Sequence, residues 1–309
     1  MIKVCSKYDM DSLPFNPGGR VMALGMFDGL HQGHIDIIKA AVRLAENSGL
    51  LTCVQTFRNL GKNGDDRLLY TMEERLKMLE ELGVDEMFVL NFPQVKDMSP
   101  EEYCTQILYA RAGAAALFAG NDYRFGKGAT GDVAFLKDYS KNNQMSLRII
   151  PDRILEGTDR KISTSWLREA LSEGDVELFS KMCGGRFYSY SGRVVHGKQT
   201  GRLMGFPTAN LEISEEKFVV RRGVYCSRVI LGNRVLYGVT NVGRRPTVED
   251  AVNDVAETFI FDFDEDIYGA VIRVELMKFL RPEQAFSGKE ELARAVEENK
   301  AQARAFFSL

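Results

Sequence analysis

The feature that most constrains the fold of this chain is a change of sequence pattern near Gly184 and Gly185. Before this point, short apolar runs alternate with segments of helical periodicity, which predicts a parallel sheet covered by helices on both faces. About five strands are predicted there, at residues 21–26, 51–57, 86–91, 114–120 and 146–150.

After this point, ten glycines fall between residues 184 and 243 and separate short β-branched or aromatic runs. Six such runs predict a small antiparallel barrel, with strands at residues 187–195, 208–213, 224–231, 235–242, 256–263 and 271–279. We therefore predict an α/β domain over residues 1–184 and a six-stranded barrel domain with a terminal helix over residues 185–309.

Helix boundaries are marked by capping residues. Helices are predicted at residues 34–48 and 71–82, from Ser99 onward, and at the end of the chain to about Phe307. The predicted capping pairs are Thr71 with Glu74, Ser99 with Glu102, and Ser287 with Glu290. In the last helix, Leu292, Val296 and Phe306 are interpreted as packing residues, and the acidic run at residues 262–266 as a solvated turn.

Composition excludes several classes of function. The formal charge of -3 gives no reason to expect a nucleic acid or an anionic membrane as a partner. No apolar run approaches the roughly 20 residues that span a bilayer, and the charged N-terminus does not resemble a signal peptide. The five cysteines are an odd number without a CxxC pair, which favours neither a disulfide framework nor a zinc site and fits the cytoplasm.

The stretch GMFDGLHQGH, residues 25–34, lies between a predicted strand and a predicted helix. In open α/β folds nucleotides bind at the carboxyl ends of strands, and the N–H groups of a helix N-terminus suit phosphate oxygens. Gly29 and Gly33 allow the backbone to approach a ligand closely. His31 and His34 share one face of the first helical turn, where both can donate hydrogen bonds as charge moves onto a leaving pyrophosphate.

Two other interpretations of these histidines stand beside this one. They could be incidental surface or packing residues, or they could bind a metal. Only three histidines occur in the chain and two of them share this tetrapeptide, which favours a functional role. No third ligand at a suggestive spacing supports a metal site.

Other motifs follow in order along the chain. GNDYRFG at residues 120–126 is followed by a Gly-Asp pair, and KISTSWLR occupies residues 161–168. The string HGKQTGRLMGFPTAN at residues 196–210 combines glycines with two cations, and a loop of this kind can fold over phosphates. It lacks the GxxxxGK[ST] spacing of a Walker loop.

The motifs at residues 25–34, 120–126 and 161–168 resemble those of the HxGH nucleotidyltransferase superfamily, and more closely those of the bacterial bifunctional riboflavin kinase/FMN adenylyltransferase family. The resemblance implies a Rossmann-like first domain in which His31 and His34 are catalytic, and a role for Asp122 and Phe125 in flavin binding. The ATP-binding residues that it implies in this domain are Gly25, Phe27, Gly29, Gly33, Lys161, Thr164, Ser165 and Arg168.

The string at residues 196–210 resembles the flavokinase motif of the same family. The resemblance implies ATP binding by Gly197, Lys198, Gly201 and Arg202. It also implies that Thr208 and Asn210 hold Mg²⁺, which prefers oxygen ligands. Glu257, in the segment AETFI, is implied as the base that takes the proton from the ribityl hydroxyl of riboflavin.

The resemblance therefore predicts a two-step enzyme that converts riboflavin to FMN and FMN to FAD, with ATP as co-substrate. The family usually carries a Thr-Phe-Asp-Pro-His-Pro segment after the second strand, whereas this chain reads TFRNL at residues 56–60. Two alternatives follow: a riboflavin kinase with weak or absent adenylyltransferase activity, and a flavin-binding module without turnover. The sequence predicts a loop at residues 58–67 and no particular oligomeric state.

Overall fold

The computed structural model of the protein describes residues 5–58, 67–196, 208–246 and 252–309. The chain divides into two compact units, Met1–Thr164 and Ser165–Leu309. The boundary predicted after residue 184 lies later than this division, and as a boundary between functional regions it stays a prediction. No helix in the described part of the chain is long and apolar enough to cross a membrane.

The first unit contains a six-stranded sheet of parallel strands in the order β1-β4-β3-β2-β5-β6. Its strands are β1 (Ser6–Asp9), β2 (Arg20–Leu24), β3 (Leu51–Phe57), β4 (Glu86–Leu90), β5 (Ala114–Gly120) and β6 (Ser146–Ile150). The predicted parallel sheet is confirmed, but it has one strand more than predicted. β1 has only four residues in the exposed-and-half-buried alternation of an edge strand, so it lacks the apolar run that marks the others.

Helices cover both faces of this sheet. They are α1 (Gln32–Ser48), α2 (Met72–Glu81), α3 (Phe92–Val95), α4 (Pro100–Glu102), which continues as a π-helix over Tyr103–Arg111, and α5 (Val133–Asn142). Every residue of β2 and of β4 is buried, because each of these strands packs on a core on either side. One core includes residues of α1, and the other includes residues of the π-helix.

Two of the predicted helix starts are confirmed in atomic detail. Thr71 and Glu74 form a capping box before α2, and Ser99 and Glu102 form another before α4. The π-helix that continues α4 was not predicted.

The second unit is a barrel whose strands follow the order β7-β12-β9-β10-β11-β8. The strands are β7 (Ser189–Arg193), β8 (Ala209–Glu212), β9 (Gly223–Leu231), β10 (Arg234–Pro246), β11 (Val252–Ile260) and β12 (Val271–Pro282). All described pairs are antiparallel, and a bridge between Val195 and Asn210 joins the two ends of the sheet. The predicted six-stranded antiparallel barrel is thereby confirmed.

Among the described residues, three helices complete this part of the chain: α6 (Thr164–Glu173), α7 (Val176–Met182) and the terminal α8 (Lys289–Phe307). The α8 helix lies against the outside of the barrel, where Ala303 packs with Cys226 and Phe261. The predicted end of α8 at Phe307 is confirmed, but the predicted cap is wrong. Gly288 is the N-cap, and Ser287 donates from its N–H and O–H groups to the carboxylate of Glu291 rather than pairing with Glu290.

Three hydroxyl groups form a chain inside the barrel. Ser227, Thr240 and Thr258, on neighbouring strands, are fully buried and hydrogen-bonded in that order. Because side chains alternate along a strand, the residues next to them, Asn241 and Glu257, point away from this interior. The alternation places the hydroxyl chain and the pair of Asn241 and Glu257 on opposite faces of these strands.

Candidate active sites

The loop that precedes α1 is held in a strained shape by buried polar contacts. Phe27 and Leu30 have positive φ angles of 50° and 39°, a conformation that costs a non-glycine residue on the order of 1–3 kcal/mol. The Met26 carbonyl oxygen accepts hydrogen bonds from Thr56 Oγ1 at 2.6 Å and from an Arg75 guanidinium nitrogen at 3.2 Å. These bonds tie the loop to β3 and α2 and offset the strain.

The two motif histidines lie at the start of α1 with their rings stacked. His31 is the N-cap, and its Nδ1 accepts a hydrogen bond of 3.3 Å from the His34 backbone N–H. The ring centroids are 3.7 Å apart. Gly33 leaves room for this stack, since a Cβ there would lie 3.2 Å from the His31 Cε1. Phe27 meets the His34 ring edge-on at 5.1 Å.

Burial keeps both imidazoles uncharged at neutral pH. Burial, followed by the charge of Lys161, lowers the pKa of His31 from 6.5 to about 4. Burial and the neighbouring His31 lower the pKa of His34 well below its usual range. The buried His34 Nδ1 has no hydrogen-bond partner among the described residues. The pair can therefore give hydrogen bonds to a ligand at this edge without contributing positive charge.

Positive charge comes instead from Lys161. The chain after β6 turns back on itself through a bridge between Ile154 and Lys161, which brings the lysine to the carboxyl edge of the sheet. Its Nζ lies 2.8 Å from Asp122 Oδ2 and 2.7 Å from Asp152 Oδ1. Although partial burial opposes it, hydrogen bonding to these carboxylates raises the pKa of Lys161, so it is a cation.

Arg153 is a basic residue at this site that the sequence analysis missed. A Cβ on Gly33 would lie 3.5 Å from the Arg153 Cβ, and the Arg153 guanidinium pairs with Asp36 at 3.8 Å. Its position three residues after the end of β6 is the sequence signal that could have identified it.

The structure places the other predicted residues of the first site as follows. A Cβ on Gly25 would lie 2.9 Å from the Phe27 ring, and Gly29 is buried within the loop. Phe125 is buried in an aromatic group with Tyr103 and Tyr123.

Thr164, Ser165 and Arg168 lie on α6, where the two compact units divide. Ser165 and Arg168 belong to the second unit, in which the Arg168 guanidinium lies 5.1 Å from the centre of the Phe218 ring. The structure thus groups His31, His34, Gly33, Lys161 and Asp122.

In the barrel, strand register brings three polar residues into one row. Glu257 on β11 is paired with Asn210 on β8 and with Asn241 on β10. Asn210 Nδ2 donates to the Thr208 carbonyl oxygen at 3.0 Å and to Thr208 Oγ1 at 3.3 Å. The predicted base and the predicted metal ligands are therefore neighbours. The predicted loop residues Gly197, Lys198, Gly201 and Arg202 lie outside the described residues.

Two cavities lie in this part of the barrel, and only the second has members of this row among its described lining residues. The first, here called the acidic-rim cavity, has a volume of about 320 Å³. The second, here called the helix cavity, has a volume of about 280 Å³ and contains Glu257 and Asn241. Among the described lining residues, Thr208 alone borders both.

The sequence analysis missed most of the cavity walls. Leu292 and Val296 of α8, which were interpreted as packing residues, line the helix cavity together with Phe286 and Phe259. The acidic run that was interpreted as a solvated turn gives the acidic-rim cavity residues 263–266 of its lining. Nothing in the sequence of α8 or of the acidic run distinguishes a cavity wall from an ordinary core or surface position.

A second carboxylate, that of Glu283, also lines the helix cavity. Glu283 lies so close to Gly243 that a Cβ there would clash with its Oε1, and the same Cβ would lie 3.1 Å from Asn241 Nδ2. The absence of a side chain at Gly243 therefore allows Glu283 to reach the vicinity of Asn241.

Comparison with known proteins finds two family models, each of which matches a different stretch of the chain. Residues 14–165 match the model of the FAD synthetase family, and residues 184–307 match that of the riboflavin kinase family. A bifunctional riboflavin kinase/FMN adenylyltransferase from Bacillus subtilis is 34% identical, over 93% of this chain and 92% of the relative. Its counterpart from Escherichia coli is 32% identical, over 94% of both chains.

A solved structure is similar to this chain over nearly all of its length. It is a Streptococcus pneumoniae protein described as a macrolide-efflux protein, with a TM-score of 0.80 and 26% identity over 97% of this chain and 99% of that one. The word efflux describes that protein only. The match shows that its fold is similar to that of this chain. The two family models and the relatives of nearly equal length lead to one conclusion: the chain belongs to the family of bifunctional riboflavin kinase/FMN adenylyltransferases.

Proposed function

We propose that this enzyme makes FAD in two steps at two separate sites. The barrel transfers the γ-phosphate of ATP to riboflavin, and the first unit joins the adenylyl group of a second ATP to the resulting FMN. The observation that carries this proposal is that each compact unit has its own set of reactive groups. These are the stacked imidazoles with Lys161 in the first unit, and the Glu257 row in the barrel.

In the barrel, the two cavities suggest how the substrates are arranged. Glu257 lies in the helix cavity, so the hydroxyl that it deprotonates belongs there. The walls of that cavity include Phe259, Phe286 and Leu292, which suit a flat flavin ring. We place ATP in the acidic-rim cavity, so that the phosphate crosses beside Thr208, which lines both cavities.

The residues present fit a magnesium ion. Because a carbonyl oxygen can only accept, the bond from Asn210 Nδ2 to the Thr208 carbonyl fixes the amide and leaves its Oδ1 for another partner. Thr208 Oγ1 and Asn210 Oδ1 would be the protein ligands, and ATP phosphates would complete the set. When bound, the ion would neutralise charge on the transferring phosphate.

In the first unit, neutral imidazoles and one cation divide the work. The FMN phosphate attacks the α-phosphate of ATP, and negative charge moves onto the departing pyrophosphate. His31 and His34 donate hydrogen bonds to that group, while Lys161 supplies the positive charge, with Arg153 close to the start of α1. The roles of Thr164, Ser165 and Arg168 at the ATP phosphates rest on the resemblance of their motif alone and stay predictions.

The partners that we propose are small molecules alone, without a nucleic acid or a membrane. We also propose that the enzyme works in the cytoplasm. All five cysteines are buried free thiols, which agrees with a reducing compartment.

The test is chromatography of the products that the purified chain makes from riboflavin and, separately, from FMN, each with ATP and Mg²⁺. We expect FMN and FAD from the first reaction and FAD from the second. His31→Ala should abolish FAD formation and spare FMN formation. Glu257→Ala should abolish FMN formation from riboflavin and spare FAD formation from supplied FMN. If the wild type made FMN but no FAD, the chain would be a riboflavin kinase only. If it bound flavin without consuming ATP, it would be a flavin-binding module without turnover.

A further inference from the structure

A buried glutamine in the first unit has an unpaired polar group. Gln55, on β3, has no exposed surface, and its Oε1 accepts hydrogen bonds from Tyr103 at 3.0 Å and Tyr123 at 3.4 Å. Its Nε2 has no partner among the described residues. Exchanging the amide oxygen and nitrogen would only leave the oxygen unpaired instead. Since buried polar groups are normally satisfied, a missing partner is indicated.

The position of this amide suggests that the missing partner is a ligand. Gln55 lies two residues before β3 ends, at the carboxyl edge of the parallel sheet, where open α/β folds bind their ligands. Tyr123, which contacts it, follows the carboxyl end of β5 and is half-buried. The amide therefore lies one side chain below the surface of this edge.

The surroundings of Gln55 define the chemistry of that ligand. The ring of Phe125 lies 5.5 Å from that of Tyr123, nearly parallel to it, and 5.4 Å from that of Tyr103. Flat apolar surfaces beside one neutral amide suit a planar ring whose edge carries a carbonyl or a ring N–H. A phosphate is matched instead by the cation Lys161.

We propose that Gln55 is a specificity-determining residue for FMN in adenylylation. Its amide pairs with the pyrimidine edge of the isoalloxazine ring, and Tyr123 turns aside so that the ring lies against the aromatic group. The pyrimidine edge carries both carbonyl groups and an N–H, so it satisfies either orientation of the amide. This inference rests on the function proposed for the first unit.

The test measures initial rates of FAD formation in the full-length chain with varied FMN, and separately with varied ATP. In Gln55→Met, which keeps the side-chain volume, we expect the KM for FMN to rise roughly ten-fold, as for a lost buried hydrogen bond. The KM for ATP and the rate of riboflavin phosphorylation should stay unchanged. Tyr123→Phe, which keeps the amide, is the matched control and should alter the KM for FMN less.

A second measurement separates recognition from a structural role. The wild type should prefer FMN to FMN methylated at the ring N–H of the pyrimidine edge, and Gln55→Met should lose most of that preference. An unchanged KM for FMN, an equal rise in both KM values, or an intact preference would each overturn the inference. If the wild type itself makes no FAD from FMN, the proposed function of the first unit fails instead.

Discussion

The depressed pKa of His31 predicts that the first unit loses stability in mild acid. Burial holds this pKa at about 4 in the folded protein, against 6.5 for the exposed side chain. Between these two pH values the unfolded chain binds a proton at His31, whereas the folded chain does not. The stability is therefore complete above about pH 6.5 and falls as the pH drops towards about 4.

The magnitude follows from the two pKa values. One pKa unit is worth about 1.4 kcal/mol, so the free energy of unfolding should fall by roughly 3 kcal/mol from this group alone. His31 is only 6% exposed, so solvent screening reduces this figure little. The pKa of His34 is also lowered, and its protonation adds to the loss in the same direction.

The assay is urea unfolding of the wild type and of His31→Gln without nucleotide, at a series of pH values from about 7 to about 4. The glutamine stays neutral, so its variant should lose less stability over this range, by roughly 3 kcal/mol. Circular dichroism follows both units, whereas the single tryptophan, Trp166, lies in the second unit, and its fluorescence serves as the control. Parallel pH profiles for the two proteins would refute the reasoning.

Three further predictions concern the proposed sites. Gly243→Ala should displace Glu283 and lower riboflavin phosphorylation about ten-fold or more, with FAD formation from FMN as the unchanged control. Glu257→Gln should lower FMN formation roughly a hundred-fold or more while riboflavin still binds, as measured by quenching of flavin fluorescence; a near-normal rate would contradict its role as the base. Lys161→Met should raise the KM for ATP in FAD formation roughly ten-fold, because a charge-assisted contact is lost, and a KM unchanged in both half-reactions would count against it.

Local patterns in the sequence predicted most of the fold. The apolar runs located every strand of the first unit except β1, and the spacing of Thr71 and Glu74 predicted a capping box that the structure contains. These signals are local, because a strand or a helix start is specified by residues within a few positions of one another. The cap at Ser287 failed because a serine near a glutamate also permits the bond to Glu291 that the structure has.

The composition of the candidate sites was less predictable. The meeting of Lys161 with Asp152 depends on how the chain turns after β6, and the pairing of Glu257 with Asn241 depends on strand register. No local sequence pattern predicts either contact, because each depends on how separate segments of the chain come together. The apolar residues of α8 illustrate the same limit, because helical spacing identifies a buried face without saying whether it faces a core or a cavity.

The alternation of side chains along β11 has a consequence for how this family can vary in length. Inserting or deleting one residue within the strand would shift its register by one position and bring Ala256 or Thr258 opposite Asn241. The carboxylate of Glu257 would then turn inward, onto the buried hydroxyl chain of Ser227 and Thr240. Length changes between relatives should therefore gather beyond the ends of this strand, while its interior keeps a fixed count of residues.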